Sequence, residues 1–301
     1  MVHRESQTLK FWDRSRLLTK RNNDYRKFVS DFMGLLLKAD ISANDITTQS
    51  LIPEKNNAIG IVIAKEKGIV AGIEEIMIIC KDLKTKNLKN DGDFVKNGDI
   101  VLELRGKTRK ILERERTYLN LLQRMSGIAT LTSSLQGKIQ NKVKIAATRK
   151  TLWGSLDKKA VSIGGGLTHR LNLSDGMLIK DNHLKLLNYN FEKALKLAKN
   201  KSEYIEIEVE DRFQAIAAAK AIKKFFGKRH LAIMLDKINP EEIKSIISCL
   251  KRQNLYDNIL FEASGNINQE NYTKYIESGA DIISMGCLTN SSKALNFSLE
   301  I

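Results

Sequence analysis

Cysteine and proline are scarce in this chain, three and two residues among 301. Cys80, Cys249 and Cys287 are odd in number, far apart and without metal-ligand spacing, so neither a disulfide framework nor a zinc site is expected. They read as reduced thiols of a cytoplasmic protein. No apolar run approaches the roughly 20 residues needed to cross a bilayer, and the first thirty residues hold no apolar signal core. Glu5, Asp13 and Asp24 break up the basic residues there, which argues against a transit peptide. Residues 1–32 are therefore expected to form a basic N-terminal extension. Aromatics are only 6% and do not interleave with a basic block, so the net charge of +15, spread along the chain, argues mildly against a nucleic-acid groove. Small phosphorylated or carboxylated substrates fit that charge, and neither nucleic acid nor membrane is expected as a partner. Abundant Lys, Asn and Ile beside so little Pro mark a general residue bias that contributes to the charge.

What is present divides into two textures. At 42% hydrophobic residues the chain can bury a substantial core. The stretch DFMGLLLKAD (31–40) is apolar and helical, and in the ISANDITT that follows Asp45 and Thr47 have turn or cap chemistry. Strand-like runs at 58–66 and 99–106 flank the helical GIEEIMIICKDL, and 111–139 has Leu112, Leu119, Leu122 and Met125 near helical spacing. After residue 140, short apolar strands alternate with amphipathic helices: KVKIAAT, GMLIKD, YIEIEVE, LAIMLD, ILFEAS and DIISMG. Six βα units in series predict a parallel sheet, and six strands rather than eight predict an incomplete barrel.

In such a barrel the chemistry lies where strands end, and these strands end in polar residues. KIAAT runs into Arg149 and Lys150, GMLI into Lys180, LAIML into Asp236, ILFEA into Ser264-Gly265 and DIISM into Gly286. In YIEIEVE the residues Ile205, Ile207 and Val209 share one face while Glu206, Glu208 and Glu210 share the other. Either the glutamates point into the barrel and need cations, with Arg149, Lys150, Arg170 and Lys180 as candidates, or this is an edge strand with its acidic face in water. GGGLTHR (164–170) and IKDNHLK (179–185) crowd His169, Arg170, Lys180, Asp181, Asn182 and His183 into one region; a solvated loop is the bland reading. A lumen with both cations and carboxylates suits a multiply anionic substrate accompanied by a divalent metal.

ERTYLNLLQRMSGIAT, ATRKT, GGGLTHRLNLSDGMLIKDNHL, IEIEVE, MLD, FEASGNI and ISMGCLT, together with the upstream DITT, resemble the quinolinate phosphoribosyltransferase family over roughly residues 35–299. The resemblance implies an α/β fold: an N-terminal α/β sandwich domain (33–128, joined by the tail 288–301) and an incomplete parallel α/β barrel (129–287) carrying the active site. It implies a homodimer, or a dimer-based oligomer, with composite sites and Mg as cofactor. The reaction implied joins quinolinate to 5-phosphoribosyl 1-diphosphate, giving nicotinate mononucleotide, diphosphate and carbon dioxide. On that basis Arg149, Lys150, His169, Arg170 and Lys180 line the anionic substrates and Arg116 reaches the partner's site. Glu208 and Asp236 face the ribose hydroxyls and the metal, which is held mainly through substrate. Ser264, Gly265, Asn266 and Gly286 hold the 5′-phosphate, and Lys150, Lys180, Glu208 and Asp236 form the catalytic set. Asn182 and His183 brace the turn. The chain departs from the family's usual pattern at Trp153, where Pro is common, in the loop after Thr151, which is shorter and lacks an Arg, and at Asn266, where a second Gly is usual. Relatives with another pyridine or a molybdenum-pathway acceptor are the alternative. A basic nucleic-acid-binding protein on this scaffold is the remote one, opposed by the inward carboxylates.

Overall fold

The computed structural model describes residues 2–140 and 142–301, without the side chains of residues 2 and 3. The chain opens with α1 (Val2–Trp12) and a short 3-10 turn, then α2 (Asn23–Ile41) and α3 (Ile46–Leu51). Asn22 caps α2 by accepting the Tyr25 N–H, and Asp45 caps α3 by accepting that of Thr48. Next come β1 (Asn57–Ala64), β2 (Gly68–Ile69), α4 (Ile73–Ile79), β3 (Lys84–Asn87), β4 (Phe94–Val95), β5 (Ile100–Lys107) and the long α5 (Thr108–Lys138). The alternating half runs β6 (Lys144–Ala146), α6 (Ser155–Ile163), β7 (Met177–Ile179), α7 (Asp181–Leu186), α8 (Phe191–Ala198), β8 (Ile205–Val209), α9 (Arg212–Phe226) and β9 (Leu231–Asp236). It ends with α10 (Pro240–Arg252), β10 (Ile259–Ser264), β11 (Ile282–Ser284), α11 (Cys287–Asn290) and β12 (Phe297–Glu300).

These elements form two units. One comprises Ser15–Ser134, Leu152–Gly165 and Ser291–Ile301. Its antiparallel sheet has the order β12-β1-β5-β3, with Ile61 set between Glu103 and Glu300. The C-terminal tail returns here by a close approach to α5: a Cβ on Gly127 would lie 2.0 Å from the Lys293 carbonyl, so only glycine admits it. The segment after Thr151 is fixed in this unit too. Asp157, fully buried, accepts the Leu152 and Trp153 N–H groups and a two-pronged bond from Arg124. Buried Lys159 bridges Glu74 at 2.7 Å and Glu75 at 2.6 Å, and Tyr25 donates to Glu75.

The other unit comprises the residues up to Arg14, Leu135–Thr151 and Gly166–Asn290. Its parallel sheet has the order β6-β11-β10-β9-β8-β7, and β6 and β7 do not pair, so the barrel is incomplete. A bridge from Leu167 to Ala146 partly covers the free edge of β6. β8 lies between β7 and β9, which removes the edge-strand reading of YIEIEVE.

The division differs from the expected one. Residues 1–32 are not one solvated extension: the segment up to Arg14 joins the barrel unit and Ser15 begins the other. The physical reason is apolar. Phe11 and Trp12 are buried in a cluster with Ala146, Leu167, Ala232, Leu260 and Ile282. Those of the cluster in β9, β10 and β11 lie in the first two positions of their strands, so α1 closes the N-terminal end of the barrel. By contacts, the junction in α5 falls after Ser134 and the tail joins the first unit from Ser291.

Candidate active site

The C-terminal ends of the barrel strands surround a cavity of about 440 Å³. Thr148, Arg149 and Lys150 follow β6, Lys180 follows β7, Glu208 lies on β8, Met234 and Asp236 on β9, Glu262 and Ser264 on β10, and Ser284 on β11. His169 and Arg170 enter from the turn after the triple glycine. All expected site residues of the barrel line this cavity except Gly286, which is adjacent: a Cβ there would sit 3.1 Å from the Lys150 side chain. Arg116 does not line it. It is exposed on α5 in the other unit and makes no side-chain hydrogen bond or ion pair among the described residues.

The cations divide by what they already hold. Arg149, Lys150 and Lys180 are exposed and make no ion pair among the described residues. Arg170 is buried and donates from Nη1 to the Gly176 carbonyl at 2.9 Å; burial, then the charge of Arg149, lower its pKa. Cations that line one cavity without ion pairs among the described residues call for an anion. His183 serves the turn, its Nδ1 accepting the Lys180 N–H at 2.9 Å, and Asn182 is exposed.

The three glutamates of β8 grade from buried to exposed. Glu206 is 3% exposed, Glu208 is half-buried and Glu210 is exposed. The expected partners of Glu206 were the Arg and Lys residues. It meets His169 instead, at 3.3 Å from Nε2, and the same nitrogen lies 2.8 Å from Glu262. His169 thus lines the cavity with its Nε2 engaged by two glutamates. Its Nδ1 accepts the Arg170 N–H at 2.8 Å, so the ring carries its one proton on Nε2. Ser284 donates to the far oxygen of Glu262.

Burial and then Glu262 raise Glu206 to about 7. Burial by itself would lower His169, but the Glu262 and Glu206 carboxylates overcome it and raise it to about 9. Both shifts say that the cluster retains one extra proton, and the amide bond to Nδ1 puts that proton on the carboxyl pair. Glu208 is raised by burial and by Asp236, and Lys180 opposes the rise.

Positive φ recurs here. His169, Lys237 and Asn266 line the cavity with φ of +55, +57 and +55°, beside Gly265 at +86°. Asn266 keeps the left-handed conformation that the usual glycine would adopt, because Asn tolerates it. At Gly265 a Cβ would meet the Lys237 nitrogen at 2.5 Å and an Asp236 oxygen at 2.7 Å, so glycine is required for the turn to abut the acid.

Sequence reasoning passed over Glu262, Ser284 and Lys237. Glu262 had a signal: it alternates with Phe261 and Ala263 as Glu206 alternates with Ile205 and Ile207. Metal-ligand geometry is also found where it was not expected. The donor atoms of His169, Glu206 and Glu262 lie within 4.8 Å of one another, whereas the expected pair was Glu208 and Asp236.

Comparison with known proteins gives matches along most of the chain. Residues 45–126 match the family model for the quinolinate phosphoribosyl transferase N-terminal domain, and residues 128–300 that for its C-terminal domain. A probable nicotinate-nucleotide pyrophosphorylase (carboxylating) of Methanothermobacter thermautotrophicus is 37% identical, covering 90% of this chain and 98% of that protein. Its counterpart in Methanocaldococcus jannaschii is 41% identical, covering 88% and 94%. The solved nicotinate-nucleotide pyrophosphorylase from Francisella tularensis superposes with a TM-score of 0.78 at 31% identity, covering 91% of this chain and 96% of that one.

Proposed function

The chain belongs to the quinolinate phosphoribosyltransferase family, and from that premise we propose that it transfers the phosphoribosyl group of 5-phosphoribosyl 1-diphosphate to quinolinate with loss of carbon dioxide, in NAD biosynthesis. The observation that carries the reading is the cavity's mixed lining: Arg149, Lys150 and Lys180, which make no ion pair among the described residues, share it with Glu208 and Asp236. The cations take the substrate carboxylates and diphosphate, and the two acids take the ribose hydroxyls.

The pyridine nitrogen is itself the nucleophile, so the protein need supply none. It orients the nitrogen toward C1 of the ribose and opposes the negative charge that grows on the departing diphosphate with Lys150 and Lys180. Glu208 and Asp236 stabilise the positive charge on the sugar. Arg149 and Arg170 hold the carboxylate that stays while the neighbouring one leaves as carbon dioxide; the ring's positive charge stabilises the carbanion, which then takes a proton from water. Magnesium fits the donor set: burial and the neighbouring Asp236 charge raise the affinity of Glu208 for positive charge, and the oxygens of both acids suit a hard divalent ion that also binds diphosphate. When bound, it neutralises diphosphate charge. The Ser264-Gly265-Asn266 turn and Gly286 receive the 5′-phosphate.

The active assembly is a homodimer in which Arg116 completes the partner's pocket; its exposure, with no ion pair among the described residues, supports this. Three unpaired thiols agree with a cytoplasmic setting, and no helix among the described residues is long and apolar enough to cross a membrane. The test is purified protein with 5-phosphoribosyl 1-diphosphate, Mg and either quinolinate or nicotinate, following the mononucleotide. Quinolinate should be used and nicotinate poorly, since one missing carboxylate leaves a cation unpaired at a cost of about 1–3 kcal/mol. Comparable rates on both acids would refute the acceptor assignment.

A further inference from the structure

The barrel unit contains a second, far smaller cavity of about 10 Å³ that shares His169 and Arg170 with the active-site pocket. Its lining also includes Trp12, Gly176, Tyr204 and Glu206. Three polar atoms of these residues are buried and unpartnered: the indole Nε1 of Trp12, Nε of Arg170 and Oε1 of Glu206. Native interiors leave few such atoms unpaired, and here three come from the lining of one cavity. The two nitrogens can only donate, and the carboxylate oxygen accepts. The space is about that of one water molecule, which needs two to four polar partners.

We propose that one buried water, held by the Trp12 indole, Arg170 Nε and Glu206 Oε1, fixes the Arg170 guanidinium for dicarboxylate binding and makes Trp12 a positioning residue. The water accepts from both N–H groups and donates to the carboxylate. With Nη1 already on the Gly176 carbonyl, Arg170 is then held at two points of its planar fork, which leaves it one orientation. Main-chain geometry ties the same elements together. The Trp12 carbonyl accepts the His169 N–H at 2.8 Å, and the Arg14 N–H bonds Thr168 Oγ1 at 2.7 Å. The apolar neighbours of Trp12 in the barrel, Leu260 and Ala232, could be covered by any large apolar ring. Only tryptophan adds an N–H donor to that ring.

The kinetic part of this inference rests on the pocket's being a quinolinate site, and two measurements separate the claims. Trp12→Phe keeps a ring in the cluster and removes the donor. The KM for quinolinate should rise about three- to tenfold, the loss expected for one buried hydrogen bond acting through a neighbour. The KM for the phosphoribosyl donor, kcat and the melting temperature should stay near wild type. An unchanged quinolinate KM overturns the positioning role, and so does a fall in melting temperature with every kinetic constant shifted together, which would make Trp12 a packing residue only. The water itself is tested on the wild-type full-length protein by NMR. The chain has two tryptophans, so the Trp12 indole proton can be assigned against Trp153→Phe. It should show a cross-peak to a long-lived water, and absence of that peak removes the proposal even if the variant fails to fold. Wild-type protein inactive on quinolinate, with the cross-peak present, would instead count against the functional reading and leave the water site standing.

Discussion

Asp236 lies 3.3 Å from the Lys237 ammonium, which is itself largely exposed, so the pair contributes little to folding. Asp236→Asn keeps the shape and removes the charge. Its rate should fall by roughly two orders of magnitude or more, the usual scale for one electrostatic group in a site, while the melting temperature moves by only a few degrees. A melt that collapses with the activity would identify a structural ion pair instead. The His169–Glu206–Glu262 cluster has a different signature. The cluster holds its extra proton in the folded state at a pH where the unfolded chain has released it, so its contribution is present at low pH and lost as pH rises through the raised values of Glu206, about 7, and His169, about 9. Thermal stability should therefore decline across that window, and Glu206→Gln should flatten the decline. An identical slope in the variant would place the titration elsewhere. The cluster was only half legible in the sequence. Alternation marked Glu206 as inward, but its partner comes from a turn some forty residues earlier and its competitor from a strand more than fifty later, distances that only the parallel register closes.

At the scale of elements, α1 departs most from expectation. Its sequence has no clean helical period, because its apolar residues crowd into the last turn, and so it read as a polar extension. It is anchored at both ends. Arg4 bonds both oxygens of Asp281 and lies 4.3 Å over the Tyr256 ring; Arg14 bonds Asp175 at 2.8 Å and lies 3.9 Å over Tyr204. Asp281 is 8% exposed, and burial raises its pKa against the pull of Arg4. Arg4→Ala should destabilise the protein by about 2–3 kcal/mol, somewhat less than breaking a wholly buried pair. The loss should be smaller at acidic than at neutral pH, because the buried, orphaned carboxyl can take a proton. Denaturant titrations at the two pH values measure this; an equal loss at both would mean that Arg4 acts through packing on Tyr256. The six strands were legible because alternation, or an unbroken apolar run, is imposed by a sheet covered on both faces.

For the whole molecule, the composite-site proposal predicts complementation. Arg116→Ala and Lys180→Ala proteins should each be nearly inactive. A heterodimer of the two, purified through different tags, holds one site with both residues intact and should recover up to about half of wild-type activity. A heterodimer as inactive as its parents would return Arg116 to its own chain's surface. Arg116→Lys should also be impaired, since a planar fork binds a carboxylate or phosphate in a way an ammonium cannot.

Local pattern determined most of the fold and half of the site. Period-two runs, caps and glycines are consequences of backbone geometry acting over a few residues, so the strands, the polar strand ends at Arg149, Lys150, Lys180, Asp236 and Ser264, and the family motifs could all be read from the chain. Tertiary structure alone decided which charges are spent and which are free. His169 reads as one more polar residue of its turn until Glu206 and Glu262 engage its Nε2; Phe11 and Trp12 read as tail until the barrel's N-terminal end covers them. A side chain's solvation and its partner are properties of what surrounds it, and those surroundings come from segments far away in the sequence.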